Sequence, residues 1–294
     1  MPWQISALLR ALVAYGVQPT VTKKVVDLPS PTRRLVWMFG LCFAFSAVAL
    51  AVTRQTIHLA HAWVAILGAL NCVALYWHWN AVRISLSKSA IFAQMDDVVA
   101  FCCAAIFLGE VRFITLMIGV GIVLCLIGVY LFAFVKDRAG VEGERINKQN
   151  RKMILFVLGY SVLWGLDLFV SRIAGVNDVS VPEYTFWRYG SSWIGALILM
   201  RVRGTAEAGS PLTKKGVLGV GVLAAITWVA MLLEYSILRR VPLTVVQPIF
   251  QISELLFPPL AGWLLFKEHK TFRMPEWVGF AFAIAGGLVI AFSY

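Results

Sequence analysis

Residues 243–268 read LTVVQPIFQISELLFPPLAGWLLFKE. From Leu243 to Phe266 the run holds one charged residue, Glu254, and ends against Lys267 and Glu268. A helix rising about 1.5 Å per residue crosses a hydrocarbon core of about 30 Å in a run of this length. No water is available there to satisfy the backbone, so the segment must close its own hydrogen bonds as a helix. Gln247, Gln251, Glu254 and Pro258 follow the spacing i, i+4, i+7, i+11, which places them in one stripe on one helix face. The stretch therefore reads as a membrane helix with a polar face.

Nine further apolar runs share this character. Working along the chain, helices are expected at Pro2–Val21, Leu35–Val52, Ala62–Ile84, Ser89–Leu108 and Ile114–Val135, then at Met153–Val170, Tyr184–Met200, Gly216–Leu238 and Pro275–Phe292. Lys136 to Lys152 forms a charged connecting loop between the two sets. Period-two alternation is absent, which excludes a membrane β-barrel. Composition agrees: 60% of the 294 residues are hydrophobic and 14% charged, too few charges to clothe a soluble protein of this length. The first apolar run lacks a basic leader and a small-residue cleavage site, and is expected to be a retained helix. Cys42, Cys72, Cys102, Cys103 and Cys125 fall inside apolar runs without disulfide or zinc spacing, and read as small buried hydrophobes.

The runs repeat. Leu108-Gly109-Glu110 aligns with Phe266-Lys267-Glu268 at an offset of 158, and the register carries Trp77 onto Tyr235, Asp96 onto Glu254, Gly121 onto Gly279 and Gly128 onto Gly286. Near the start of each half an offset of 149 places Tyr15-Gly16 on Trp164-Gly165, Gln18 on Asp167, Thr22 on Ser171 and Lys23 on Arg172. The second helices align at Trp37/Trp187 and Gly40/Gly190. Five helices is an odd number, so the second copy must enter the membrane from the opposite side. The expected fold class is an all-α integral membrane protein of ten transmembrane helices in two inverted five-helix repeats, residues 1–135 and 153–294, joined by 136–152. Such repeats underlie alternating access in many secondary transporters, with the substrate site near the midplane.

On these residues the chain resembles the ten-helix EamA-like members of the drug/metabolite transporter superfamily. The resemblance rests on the aromatic-Gly pair opening each half, on the fourth-helix endings Leu108-Gly109-Glu110 and Lys267-Glu268, and on the glycines of each fifth helix (Gly119, Gly121, Gly128; Gly279, Gly286, Gly287). It implies a basket of helices around a central cavity, with the fifth and tenth peripheral. It also implies a small-molecule substrate without naming one, since known relatives export amino acids and metabolites or exchange nucleotide sugars.

Nineteen of the 26 Lys and Arg residues fall in alternate connections that include 136–152, and seven (Arg10, Arg54, Arg112, Arg172, Arg188, Arg239, Arg240) fall elsewhere. The positive-inside rule then places both termini outside, against the usual orientation of such relatives. A bacterial inner membrane is the expected location. The net charge of +11 sits in short connections facing lipid headgroups, with no basic groove interleaved with aromatics, so nucleic acid is not an expected partner. Membrane lipid is, and the chain is expected as a monomer or homodimer.

Ionisable groups inside a membrane helix are costly, and each marks a candidate site. Glu254 lies about 16 Å into its helix and Asp96 about 12 Å into its own. With Gln251 they are candidates for substrate contact or proton coupling, as are Gln94 and Asp97, a shorter stripe on a different face from Asp96. The open alternative is a structural tie from one of these acids to Arg10 or Arg188. Tyr15 with Gln18, and Trp164 with Asp167, place an aromatic ring one turn from a polar group, which suits a cationic head group; the alternative pairs Asp167 with Arg172. Arg188 either binds an anionic group or snorkels to the interface. Glu234 reads as an interfacial ion pair with Arg239 and Arg240, and Glu110 and Glu268 as capping or loop-tying residues. His58, His61 and His269 lie in connections and His78 in a helix, with no two at metal-ligand spacing on one face, so no metal or cofactor is expected.

No phosphate-binding Gly-x-x-x-x-Gly-Lys-Ser/Thr loop occurs, and neither Gly-x-Ser-x-Gly nor His-Glu-x-x-His is present. The expected function is therefore a secondary carrier of a small polar metabolite, an amino acid or amine, coupled to protons or working by exchange. Its rivals are a flippase for a lipid-linked head group, a membrane enzyme using buried carboxylates, and a non-transporting partner protein.

Overall fold

The computed structural model describes residues 3–93, 95–107, 116–134, 141–208, 211–241, 243–268 and 274–291, and among these no strand occurs. The helices are α1 (Trp3–Ala11), a π-helical turn (Leu12–Val17), α2 (Gln18–Val26), α3 (Pro31–Thr53), α4 (Val64–Ile84), α5 (Leu86–Ala93), α6 (Met95–Phe107) and α7 (Leu116–Phe134). They continue with α8 (Val141–Val176), α9 (Val181–Ala208), α10 (Lys214–Leu238), α11 (Leu243–Phe266) and α12 (Met274–Ala291). Among the described residues four stretches, Pro31–Thr53, Lys148–Val176, Lys214–Leu238 and Ile249–Phe266, are long and apolar enough to cross a membrane. Others carry polar residues through their length, such as Asn71, His78, Asn80 and Arg83 in α4.

Local chemistry sets the boundaries. Pro31 opens α3, where a missing N–H costs nothing, and Thr213 caps α10 by accepting from the Gly216 N–H at 3.2 Å. Past the end of α11, Lys267 adopts the left-handed conformation with φ 54°. This turn carries Glu268 back onto Ser85, Leu86 and Ser87 at the start of α5.

Two elements differ from the sequence expectation. α8 begins at Val141, so most of the segment read as a charged connecting loop is helix continuous with the following apolar run. That segment contains no proline, and several of its residues (Glu142, Glu144, Arg145, Lys148, Gln149) are good helix formers, so polarity alone did not end the helix. The first run is longer than expected, reaching Val26, and is interrupted by the π turn. Of the five free cysteines, Cys42, Cys72 and Cys125 are buried as expected, whereas Cys102 is exposed and Cys103 half-buried.

Helices α3, α4, α9 and α10 enclose the largest apolar core, with Leu35, Met38, Phe39, Tyr189, Leu223 and Tyr235 at its centre. α9 packs on α3 and α4, and α8 packs on α4 and α6. α7 and α12 pack mainly on each other. Their contact runs through glycines: a Cβ on Gly128 would sit 2.6 Å from the Gly279 carbonyl, and one on Gly286 equally close to that of Gly121. Small residues let membrane helices approach backbone to backbone in this way. Large apolar side chains such as Val52, Leu116, Leu155, Leu218 and Leu264 face outward, as a lipid-facing surface requires.

Candidate functional site

Pro19 explains the shape of the first helix. It offers no N–H to the Tyr15 carbonyl and its ring crowds that carbonyl, so the preceding turn widens to π geometry, with the Gln18 N–H reaching back to the Val13 carbonyl. The widened turn carries Tyr15 to the wall of a central cavity, beside Gln18, Pro19 and Thr22. A Cβ on Gly16 would meet nothing, whereas one on Gly165 would collide with the Asp96 carbonyl. The glycine of the second aromatic-Gly pair therefore lets α8 lie close against α6.

Six of the expected site residues line this cavity: Tyr15, Gln18, Asp96, Trp164, Arg188 and Glu254. Asp167 is buried just behind the wall, where Arg188 donates to it from Nη1 and also to the Tyr184 hydroxyl at 2.9 Å. Arg188 does not snorkel: it is 1% exposed. Nor does Asp167 pair with Arg172, which donates instead to the Leu238 carbonyl at 2.6 Å. Gln251 is buried without lining the cavity, and its amide has no hydrogen-bond partner among the described residues. Gln94 and the side chain of Asp97 lie outside the described residues, as do Glu110 and His269.

Sequence reading missed part of the wall. Glu234 does not pair with Arg239 or Arg240; it accepts from Arg10 at 3.0 Å (Nε) and 2.5 Å (Nη2), and both residues are buried and line the cavity. The Arg10 guanidinium also lies over the rings of Phe250 and Tyr15, 3.8 and 4.6 Å from their centroids. The face of Tyr15 thus already holds a cation of the protein. Asn71, Leu75, His78 and Val82 of α4 also contribute, at the same i, i+4, i+7, i+11 spacing that marked α11. That stripe was legible in principle, but its acid-free composition gave no alarm.

The electrostatics follow from this census. Asp96 and Glu254 interact with each other, and Glu254 also senses Arg10 and Glu234. Four acids (Asp96, Asp167, Glu234, Glu254) and two arginines meet around the cavity among the described residues. Each arginine is engaged by one acid. Asp96 and Glu254 bring two further carboxyl groups to a low-dielectric space, where charges act more strongly than in water.

Two further clusters lie away from the cavity. Glu268 is confirmed as a capping residue, accepting from the Leu86 and Ser87 amides at 2.9 and 2.8 Å and from the Ser85 hydroxyl at 2.9 Å, with Lys23 Nζ 3.3 Å away. Burial alone would push its carboxyl up, but these amides and Lys23 hold it below the ordinary value. The sequence offered no two histidines at metal-ligand spacing on one helix face, and the structure brings two together by tertiary contact. His58 and His61 meet on Glu183, a residue too distant in sequence for spacing to reveal it.

The model of the EamA-like transporter family matches residues 2–134 and again residues 151–292. The chain belongs to that family, within the drug/metabolite transporter superfamily. It is an integral membrane protein of the transporter type. A solved crystal structure, 13% identical, covers 98% of this chain and 95% of its own with a TM-score of 0.57, a likeness of fold alone. No curated protein sequence matches.

Proposed function

We propose that this EamA-like protein is a secondary carrier for a small cationic or zwitterionic metabolite, such as an amine or amino acid, working by alternating access of two inverted repeats. The ten spans are α1–α2, α3, α4, α5–α6 and α7, then α8 to α12. The observation that carries the reading is the pairing of cavity-lining positions one repeat apart: Tyr15 with Trp164, Phe39 with Tyr189, and Asp96 with Glu254. The glycine contacts support it too, since the repeat register exchanges Gly128–Gly279 for Gly286–Gly121. A binding site shared by two equivalent halves can be presented to either side by rocking one half against the other.

The carboxyl groups of Asp96 and Glu254 on the cavity wall support a cationic group over a phosphate or a dicarboxylate. Neighbouring carboxylates at Asp96 and Glu254 cost least when a proton or a substrate ammonium sits between them, which is the chemistry of a proton-coupled carrier or an exchanger. Arg10 and Arg188 are held in ion pairs and serve as wall, with Arg10 available to a substrate carboxylate once Glu234 yields. The bias of basic residues towards alternate connections supports an orientation with both termini outside a bacterial inner membrane. Purified protein reconstituted in liposomes and presented with amines, amino acids and phosphorylated sugars on a solid-supported membrane should give currents for the first two classes. A response to phosphorylated sugars alone would overturn the substrate reading, and silence from folded protein would overturn the carrier.

A further inference from the structure

The connection between α3 and α4 carries two histidines to the first turn of α9. His58 Nδ1 lies 3.3 Å from Glu183 Oε2, and His61 Nδ1 lies 3.1 Å from Glu183 Oε1. Glu183 is buried and accepts the His58 backbone N–H at 2.6 Å, which holds its carboxylate between the two rings. One donor atom from each of the three residues falls within 4.8 Å of the others. From this geometry we infer that His58, His61 and Glu183 form a binding site for a divalent transition metal of the zinc type, with water completing the coordination.

Ligand chemistry and spacing both fit. Zinc bonds of about 2.0–2.1 Å set tetrahedral neighbours about 3.3 Å apart, and both nitrogen-to-carboxylate separations lie near that value. Two imidazoles and a carboxylate are a donor set that zinc uses when one position stays open to water. His61 Nδ1 is enclosed and faces Glu183 Oε1 without an aligned hydrogen bond, and an ion seated between them would take both as ligands. The other nitrogen of His58, Nε2, lies 3.2 Å from the Thr56 hydroxyl, the kind of outer contact that orients a metal-binding imidazole. The His58 side chain is more than half exposed and can turn to close the triangle. His61 also borders an open surface hollow with Trp63, Ile173 and Asn177, which gives an ion a way in. The two histidines precede α4 and the glutamate opens α9, so a bound ion ties the first half of the chain to the second on one face of the molecule.

The test uses untagged full-length protein in detergent, stripped with a chelator and titrated with Zn²⁺ by calorimetry and with Co²⁺ by visible absorption. One ion per chain and intense tetrahedral Co²⁺ bands are expected. His58→Ala and His61→Ala should each weaken binding by at least about tenfold, the loss an outer-contact change alone can cause. The metal-free unfolding midpoint of His58→Ala, measured beside the titration, separates lost binding from lost fold. No saturable site at one ion per chain, or binding undiminished in the His58→Ala/His61→Ala double variant, would overturn the assignment. So would stabilisation that follows pH and ignores added metal, which would give the cluster to protons.

Discussion

Asp167→Asn leaves the Arg188 guanidinium buried against a neutral amide, and Arg188→Met leaves the Asp167 carboxylate with no counter-charge. Breaking one side of a buried pair costs about 3–5 kcal/mol, while replacing both sides by apolar groups is often close to neutral. Each single variant is therefore expected to lower the unfolding midpoint in detergent sharply, and Arg188→Met/Asp167→Leu to recover most of the loss. If the singles were as stable as the parent, the pair would not be a structural tie. A gentler prediction concerns Glu268, whose folded-state carboxyl is held below the ordinary 4.5 by the Leu86 and Ser87 amides and Lys23. A depressed carboxyl adds stability that is fully present above 4.5 and is lost as the pH falls through its folded value. The midpoint difference between the parent and Glu268→Gln should then be constant above that pH and shrink below it; a difference independent of pH would contradict the charged cap. The acids themselves were legible in the sequence, because a carboxylate inside an apolar run has to be explained. Their partners were not. Arg10 and Glu234 stand 224 positions apart, and nothing local announces that they meet.

Helices α7 and α12 show how an element can be read from spacing alone. Their glycines recur at intervals that put small residues on one face, and the structure uses that face for close approach. In Gly286→Leu the new Cβ would fall 2.6 Å from the Gly121 carbonyl, so the two helices must separate. Thermal unfolding and size-exclusion profiles should show loss of the folded, monodisperse species, and a normal profile would show that the glycine contact does not hold the pair. The π turn of the first helix was hidden for a different reason. Pro19 announces a disturbed turn, but not whether the helix kinks, breaks or widens to a π turn. The helical start of α8 was missed because charge was taken as a boundary signal, although good helix formers carry a helix out of the membrane without interruption.

For the whole molecule, the twofold recurrence of motifs pointed to two equivalent halves, and two of the pairs it named, Tyr15 with Trp164 and Asp96 with Glu254, line the cavity. Convergence of distant segments, as at His58, His61 and Glu183, belongs to tertiary structure and leaves no periodic trace. Orientation is a prediction at this scale: with nineteen of 26 basic residues on the 136–152 side, a C-terminal alkaline phosphatase fusion should be active and a fluorescent-protein fusion dark. The opposite pattern would mean that the charge bias is overridden. The central claim is that solute is carried through the acidic cavity, and Glu254→Gln tests it most directly. Substrate-evoked currents of parent and variant would be compared in the same liposomes on a solid-supported membrane, with both proteins shown folded. An amine- or amino-acid-evoked current in the parent, abolished in the variant, is expected. A current of the same size in Glu254→Gln would contradict a role for that carboxylate in transport.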